Sequence, residues 1–213
     1  MTTDGIIFDV DGTLWDATEV IAARWNQLFA GEPDLCGLRI TGADLKKLFG
    51  KLLKEIGEIL FQGCSPKRQA ELLEKCYLAE EEVLRTNPPA PYEGICEAVR
   101  SLSARFPLFI VSNCQAGYIE LFLESTGLGP YFTGHLCPGD TGLPKADNIR
   151  LIVERHGLKR GVYVGDTALD AASSKSAGVP FVFASYGFGQ VPAPDYAIKS
   201  PWDLINLFAA EEN

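Results

Sequence analysis

Over residues 94–189, short apolar runs and helix-patterned segments take turns, and this alternation narrows the fold more than any other feature. The runs "LFIVSN" (108–113), "GVYVGDT" (161–167) and "VPFVFASYGFG" (179–189) are continuous and apolar, and "TGHLCPGD" (133–140) reads as a strand and a turn. Strands buried on both faces have this character. Between them lie "GICEAVRSLSARF", "AGYIELFLESTGLGPYF", "KADNIRLIVERHGL" and "LDAASSKSAG", each patterned as a helix. Strands alternating with helices predict a doubly wound, Rossmann-like α/β fold around a parallel sheet.

One further strand, "GIIF", opens the chain inside "GIIFDVDGTLWD" (5–16). About seventy residues of helical pattern separate it from the rest of the sheet. "EVIAARWNQLFAG" closes on Gly31, and "TGADLKKLFGKLLKEIGEILF" opens with Thr41 and Asp44 at capping-box spacing. "SPKRQAELLEKCYLAEEEVLRTN" places Ser65 as N-cap and Pro66 at the first helical position. The stiff connector "NPPAPYEG" follows. The expected plan is an α/β core formed by residues 1–15 and 90–213, with an all-helical cap domain, 16–89, inserted after the first strand. Open α/β sheets bind ligands beyond the carboxyl ends of their strands. The insertion leaves from such an end, so it is expected to act as a lid, with Asp16 as a hinge residue.

Composition excludes several classes. The 213 residues carry a net charge of −9, which disfavours nucleic acid and anionic membrane as partners. The N-terminus lacks a basic segment before its apolar run, and no run approaches the ~20 residues of a membrane span. Six cysteines without C-x-x-C spacing read as reduced residues of a cytoplasmic protein. With only His135 and His156, a histidine-rich metal site or a Ser–His triad is disfavoured.

Chemistry gathers at the predicted strand ends. Strand one runs into Asp9, Asp11, Gly12 and Thr13, with Thr13 expected to bond the turn's own backbone; the second ends in Ser112 and Asn113. A later strand ends in Gly165, Asp166 and Thr167, with Asp170 beyond, and Lys145 stands just before a helix. Asp166 and Asp170 are four apart, so a helix starting there would put them on one face. Carboxylates this close repel one another and resist burial. An oxygen-rich cluster without histidine or cysteine suits a hard cation such as Mg²⁺, which offsets that repulsion.

These residues, in this order, resemble the motifs of the haloacid dehalogenase superfamily: "DVDGTLWD", "VSN" at Ser112, Lys145 and "GDTALD". The likeness covers nearly the whole chain. It is to the phosphatase branch with a helical C1-type cap, which includes phosphoglycolate phosphatase-like and β-phosphoglucomutase-like members. The resemblance implies a Mg²⁺-dependent phosphate monoester hydrolase acting on a small phosphorylated metabolite. It implies Asp9 as nucleophile, forming an aspartyl-phosphate, and Asp11 as general acid and base. It implies Mg²⁺ held by Asp9, the Asp11 carbonyl and Asp166, with Asp170 in the first or second shell. Ser112 and Asn113 would bind the phosphoryl oxygens, and Lys145 would neutralise charge there. Dehalogenases typically lack the second acid, and this chain retains it. A phosphomutase or a non-catalytic ligand-binding protein are the alternatives. In similar capped enzymes a loop between two cap helices reads the substrate body; here Gly50, with its backbone freedom, and Lys51 are the candidates.

Overall fold

The computed structural model describes residues 2–209. The chain divides into two compact units, Met1–Asp16 with Ala90–Asn213, and Ala17–Pro89.

The first unit holds one six-stranded, all-parallel sheet. Its strands are β1 (Gly5–Phe8), β2 (Leu108–Val111), β3 (Gly134–Leu136), β4 (Gly161–Gly165), β5 (Phe181–Ala184) and β6 (Tyr196–Ile198), ordered β3-β2-β1-β4-β5-β6. β1 lies at the centre, with Phe8 in register with Ile110 on one side and Val164 on the other. Every residue of β1, β2, β4 and β5 is buried, which is why these strands read as unbroken apolar runs. The chain winds outward from β1 through β2 to β3 and then crosses to β4, so the order reverses between β1 and β4, and ligands bind such sheets at the carboxyl ends beside that point.

Among the described residues six α-helices serve this unit, beginning with Ile95–Ser103 and Tyr118–Thr126. Pro138–Thr141 is a single turn, and Lys145–His156, Ala168–Ala177 and Trp202–Leu207 complete the set. Ile149 and Ile152 of helix Lys145–His156 join Ile7, Phe109, Val111, Tyr163 and Phe181 in one buried cluster. Each large apolar side chain removed from water there contributes about 1.5–3 kcal/mol. Phe106 and Phe208 meet edge-to-face beside helices Ile95–Ser103 and Trp202–Leu207.

The second unit is helical throughout: α1 (Thr18–Ala30), α2 (Gly42–Leu48), α3 (Leu53–Leu60) and α4 (Pro66–Thr86), with a 3₁₀ turn at Pro33–Leu35. The expected caps are present. Thr41 and Asp44 close a capping box, and the Ser65 hydroxyl accepts the Arg68 N–H ahead of Pro66. α1 packs on α2 and α4, and the Trp25 indole donates to the Cys76 carbonyl of α4 at 3.2 Å. Phe29 and Phe61 meet edge-to-face, 5.8 Å apart. Gly57 admits the close approach of α4, because a Cβ there would stand 2.5 Å from the Leu73 side chain. Arg68 bridges Glu32 and Asp34, tying the 3₁₀ turn to the first turns of α4. Gly50, at φ +86°, makes the bend between α2 and α3, and Lys51 follows half-buried.

Two sequence expectations are corrected, and one region went unread. β6 and the helix Trp202–Leu207 had no sequence signature: β6 has three residues, two of them exposed, and the helix has six. No helix begins at Asp166. Thr167 is the N-cap of Ala168–Ala177, so Asp166 precedes the helix, and the two carboxylates converge across the cap rather than along a helical face. The Thr13 hydroxyl, expected to bond its own turn, is buried with no hydrogen-bond partner.

Candidate active site

Each side chain of the site is delivered by the end of a strand or the start of a helix. Asp9 follows β1 directly and is 3% exposed, its N–H bonded to the Val164 carbonyl at 2.8 Å. Ser112, the first residue past β2, donates to the Asp9 carboxylate. Asn113 is its half-buried neighbour on the same loop.

Lys145 opens its helix after Pro144. The preceding loop is braced by Asn148, whose amide donates to the Leu143 carbonyl at 3.1 Å and accepts the Thr141 hydroxyl at 2.8 Å. This bracing aims the lysine inward, where Nζ stands 3.0 Å from Asp9 Oδ1 and 2.6 Å from Asp170 Oδ1. Lys145 is 2% exposed, and the two carboxylates hold its pKa well above the ordinary lysine value against the cost of burial.

Asp170 closes a capping box with Thr167. Its Oδ2 accepts the Thr167 N–H at 2.9 Å and hydroxyl at 2.6 Å. Burial pushes its pKa up, but Lys145 and Thr167 prevail and hold it below the usual carboxylate range. Both of its oxygens are thus engaged by donors of this chain.

Asp166 stands in a different situation. It is fully buried; Oδ2 accepts the Phe188 N–H at 2.6 Å, while Oδ1 is buried without a partner. Burial, with Asp170 and Asp9 nearby, raises its pKa to about 8. Burial likewise lifts Asp9 to about 6, against the pull of Lys145. Carboxylate oxygens of Asp9, Asp166 and Asp170 lie within 4.8 Å of one another. An orphaned, fully buried oxygen inside an all-oxygen cluster fits a small hard cation.

Glycine is required around Asp166. Gly12 has φ +81°, and a Cβ there would stand 2.1 Å from Asp166 Oδ2. A Cβ on Gly187 would stand 2.3 Å from the Asp166 Cβ and from the Gly12 carbonyl. Sequence reasoning missed this second wall, the loop after β5; the only signal was the glycine pair in "YGFG". Tyr186 of that loop donates to the Thr13 carbonyl at 2.8 Å.

Asp11 is half-buried, and its carboxyl stands outside the three-acid cluster. Its Oδ1 accepts the Tyr118 hydroxyl at 2.7 Å and the Trp15 indole N–H at 3.1 Å. Neither donor was foreseen. The structure therefore brings together Asp9, Ser112, Lys145, Asp166 and Asp170, with Asp11 and Asn113 on the same rim. Gly50 and Lys51 belong to the helical unit.

The family model for haloacid dehalogenase-like hydrolases matches residues 6–184. The chain belongs to this family. It is 29% identical over 214 residues to phosphoglycolate phosphatase of Agrobacterium fabrum, covering 96% of this chain and 88% of that one. It is 26% identical to pyrophosphatase PpaX of Bacillus velezensis, covering 95% and 94%. Among solved structures, a predicted phosphoglycolate phosphatase from Haemophilus somnus superposes with a TM-score of 0.83 at 20% identity, over 97% of this chain and 99% of that one. Among the described residues no helix is long and apolar enough to cross a membrane.

Proposed function

We propose that this family member is a Mg²⁺-dependent phosphate monoester hydrolase acting on a small phosphorylated metabolite through an aspartyl-phosphate on Asp9. The observation that carries the reading is the pairing of the buried Asp9 with Lys145 at 3.0 Å, beside the orphaned oxygen of Asp166. Asp9, Asp166 and the Asp11 main-chain carbonyl would hold the cation, with Asp170 behind them holding Lys145. When bound, Mg²⁺ supplies positive charge that keeps Asp9 ionised and offsets charge on the phosphoryl oxygens.

The remaining chemistry belongs to the chain. An Asp9 oxygen attacks phosphorus and the ester P–O bond breaks. The departing alkoxide takes the Asp11 proton. Water then attacks the aspartyl-phosphate and gives its proton to Asp11, the Asp9–phosphorus linkage breaks, and inorganic phosphate leaves. Ser112 and Asn113 bind the phosphoryl oxygens, and Lys145 neutralises their charge. The helical unit acts as the cap, with Lys51 offering a cation to the substrate body at the Gly50 bend. Six free thiols suit a reducing compartment, and on that ground we assign the reaction to the cytoplasm.

The names of the relatives make 2-phosphoglycolate and pyrophosphate the first substrates to try, within a panel of phosphorylated sugars and acids. Release of inorganic phosphate would be followed with Mg²⁺, using wild type and Asp9→Asn, with circular dichroism on the same samples. The expected result is turnover of at least one small ester by wild type and none by the folded variant. Near-wild-type turnover by Asp9→Asn, or isomerisation of a sugar phosphate without phosphate release, would overturn the reading.

A further inference from the structure

We propose that Tyr118 and Trp15 are positioning residues for Asp11, fixing which of its carboxyl oxygens carries the proton that goes to the leaving group. The inference rests on the general-acid role assigned to Asp11 above.

Both donors converge on one atom. The Tyr118 hydroxyl lies 2.7 Å from Asp11 Oδ1 and the Trp15 Nε1 lies 3.1 Å from the same oxygen. A neutral carboxyl group has one carbonyl oxygen, with two lone pairs to accept hydrogen bonds, and one hydroxyl oxygen. Two donors on Oδ1 select it as the carbonyl oxygen, so when Asp11 acts as the acid it is Oδ2 that carries the proton. The terminal torsion of an aspartate is otherwise broad and nearly two-fold, and a half-turn exchanges the two oxygens. Two hydrogen bonds to a single oxygen remove that exchange.

The donors are themselves held. Trp15 is fully buried four residues after Asp11, and the turn is closed by the Gly12 N–H on the Trp15 carbonyl at 2.8 Å. Its ring meets Tyr118 edge-on at 6.0 Å and Phe122 at 5.0 Å. Tyr118 is the first residue of its helix, entered through Gly117 at φ +88°. That entry puts Tyr118 at the far end of the short loop that begins with Ser112 and Asn113. The loop is pinned from outside by the Gly139 N–H on the Cys114 carbonyl at 3.3 Å. One loop thus supplies the phosphoryl-binding residues and the donor that orients the acid, so the acid's direction is referenced to the phosphoryl position.

A purely structural role would give a different result. If Asp11 merely satisfies two buried donors, removing one of them costs stability and lowers every activity alike. If the donors orient an acid, their loss is felt where the leaving group needs a proton. First-step rates would be measured by rapid quench for 2-phosphoglycolate, or the best alkyl ester found, and for p-nitrophenyl phosphate, whose leaving anion needs little protonation. The proteins are wild type, Tyr118→Phe, Trp15→Phe, Asp11→Asn and the double variant Asp11→Asn/Tyr118→Phe. General-acid catalysis as a whole is worth roughly 10²–10⁴-fold.

We expect Tyr118→Phe to lose about ten-fold on the alkyl ester, a part of that range, and under three-fold on the aryl ester, with KM unchanged. Trp15→Phe should show the same pattern, which keeps the test available if one variant folds poorly. In the Asp11→Asn background, Tyr118→Phe should add nothing on either ester. Equal losses on both esters, or losses that multiply in the double variant, would overturn the positioning role. Absence of leaving-group sensitivity in Asp11→Asn itself would instead refute the acid assignment on which the inference stands, so the two failures are distinguishable.

Discussion

In the presence of a chelator this protein should become less stable as pH rises, opposite to the usual trend for buried carboxylates held by salt bridges. In the metal-free site Asp166 has its pKa raised from 3.8 to about 8 and Asp9 from 3.8 to about 6, both chiefly by burial. The folded state therefore retains protons that the unfolded chain has released. Stability from such groups is complete below about pH 4 and is lost as pH climbs through the folded values. One retained proton gives a slope of about 1.4 kcal/mol per pH unit. Between pH 6 and 8 Asp166 stays mostly protonated until the end of the interval, so its share of the loss is about 2 kcal/mol, and Asp9 adds a few tenths. Urea unfolding at pH 6, 7 and 8 with a chelator would measure the fall. Repeating it with millimolar Mg²⁺ should flatten the dependence, because a bound cation stabilises the ionised acids. Asp166→Asn should remove most of the chelator-dependent fall. Stability that is level or rising from pH 6 to 8 in chelator would refute the reasoning.

Gly12→Ala places a methyl group 2.1 Å from Asp166 Oδ2, on a backbone at φ +81°. Activity should drop at least ~100-fold and stability by about 1–3 kcal/mol, measured by phosphate release and urea unfolding. Lys145→Met strips the shared cation from Asp9 and Asp170, both buried, and should cost about 3–5 kcal/mol near neutral pH. The acids can protonate in compensation, so the loss should be smaller at pH 5 than at pH 8, and a pH-independent loss would count against the pairing. Lys51→Ala should raise KM for the best small ester found and leave p-nitrophenyl phosphate nearly unchanged; parallel effects on both would show that Lys51 does not read the substrate body.

The sheet was legible because its central strands are buried on both faces and so appear as unbroken apolar runs. The helical caps were legible because Thr41–Asp44 and Ser65–Pro66 act within four residues of chain. Asp9, Asp11, Ser112, Lys145 and Asp166 could be read because each sits at a strand end or helix start that the pattern already located. What escaped reading depends on distance along the chain. Tyr118 reaches Asp11 across 107 residues, and Phe188 reaches Asp166 across 22. Asp166 and Asp170 do come together, but across a cap rather than on a helical face, because Thr167 starts the helix between them. β6 was invisible because an edge strand with two exposed residues has no apolar run to show.

The way the chain leaves and re-enters the α/β unit has a consequence of its own. Trp15 bridges Pro91, and the Tyr92 N–H donates to the Leu14 carbonyl at 3.0 Å. Exit and return are thus adjacent, hydrogen-bonded segments of the same unit, and closure of the 73-residue excursion is anchored outside it. For the sheet, everything between Asp16 and Ala90 is a single long loop with stapled ends, and the entropic cost of such a loop grows only slowly with its length. Such a junction is a graft point. Helical segments of other lengths and sequences can be exchanged there while β1 keeps its register and the acids at the strand ends stay where they are.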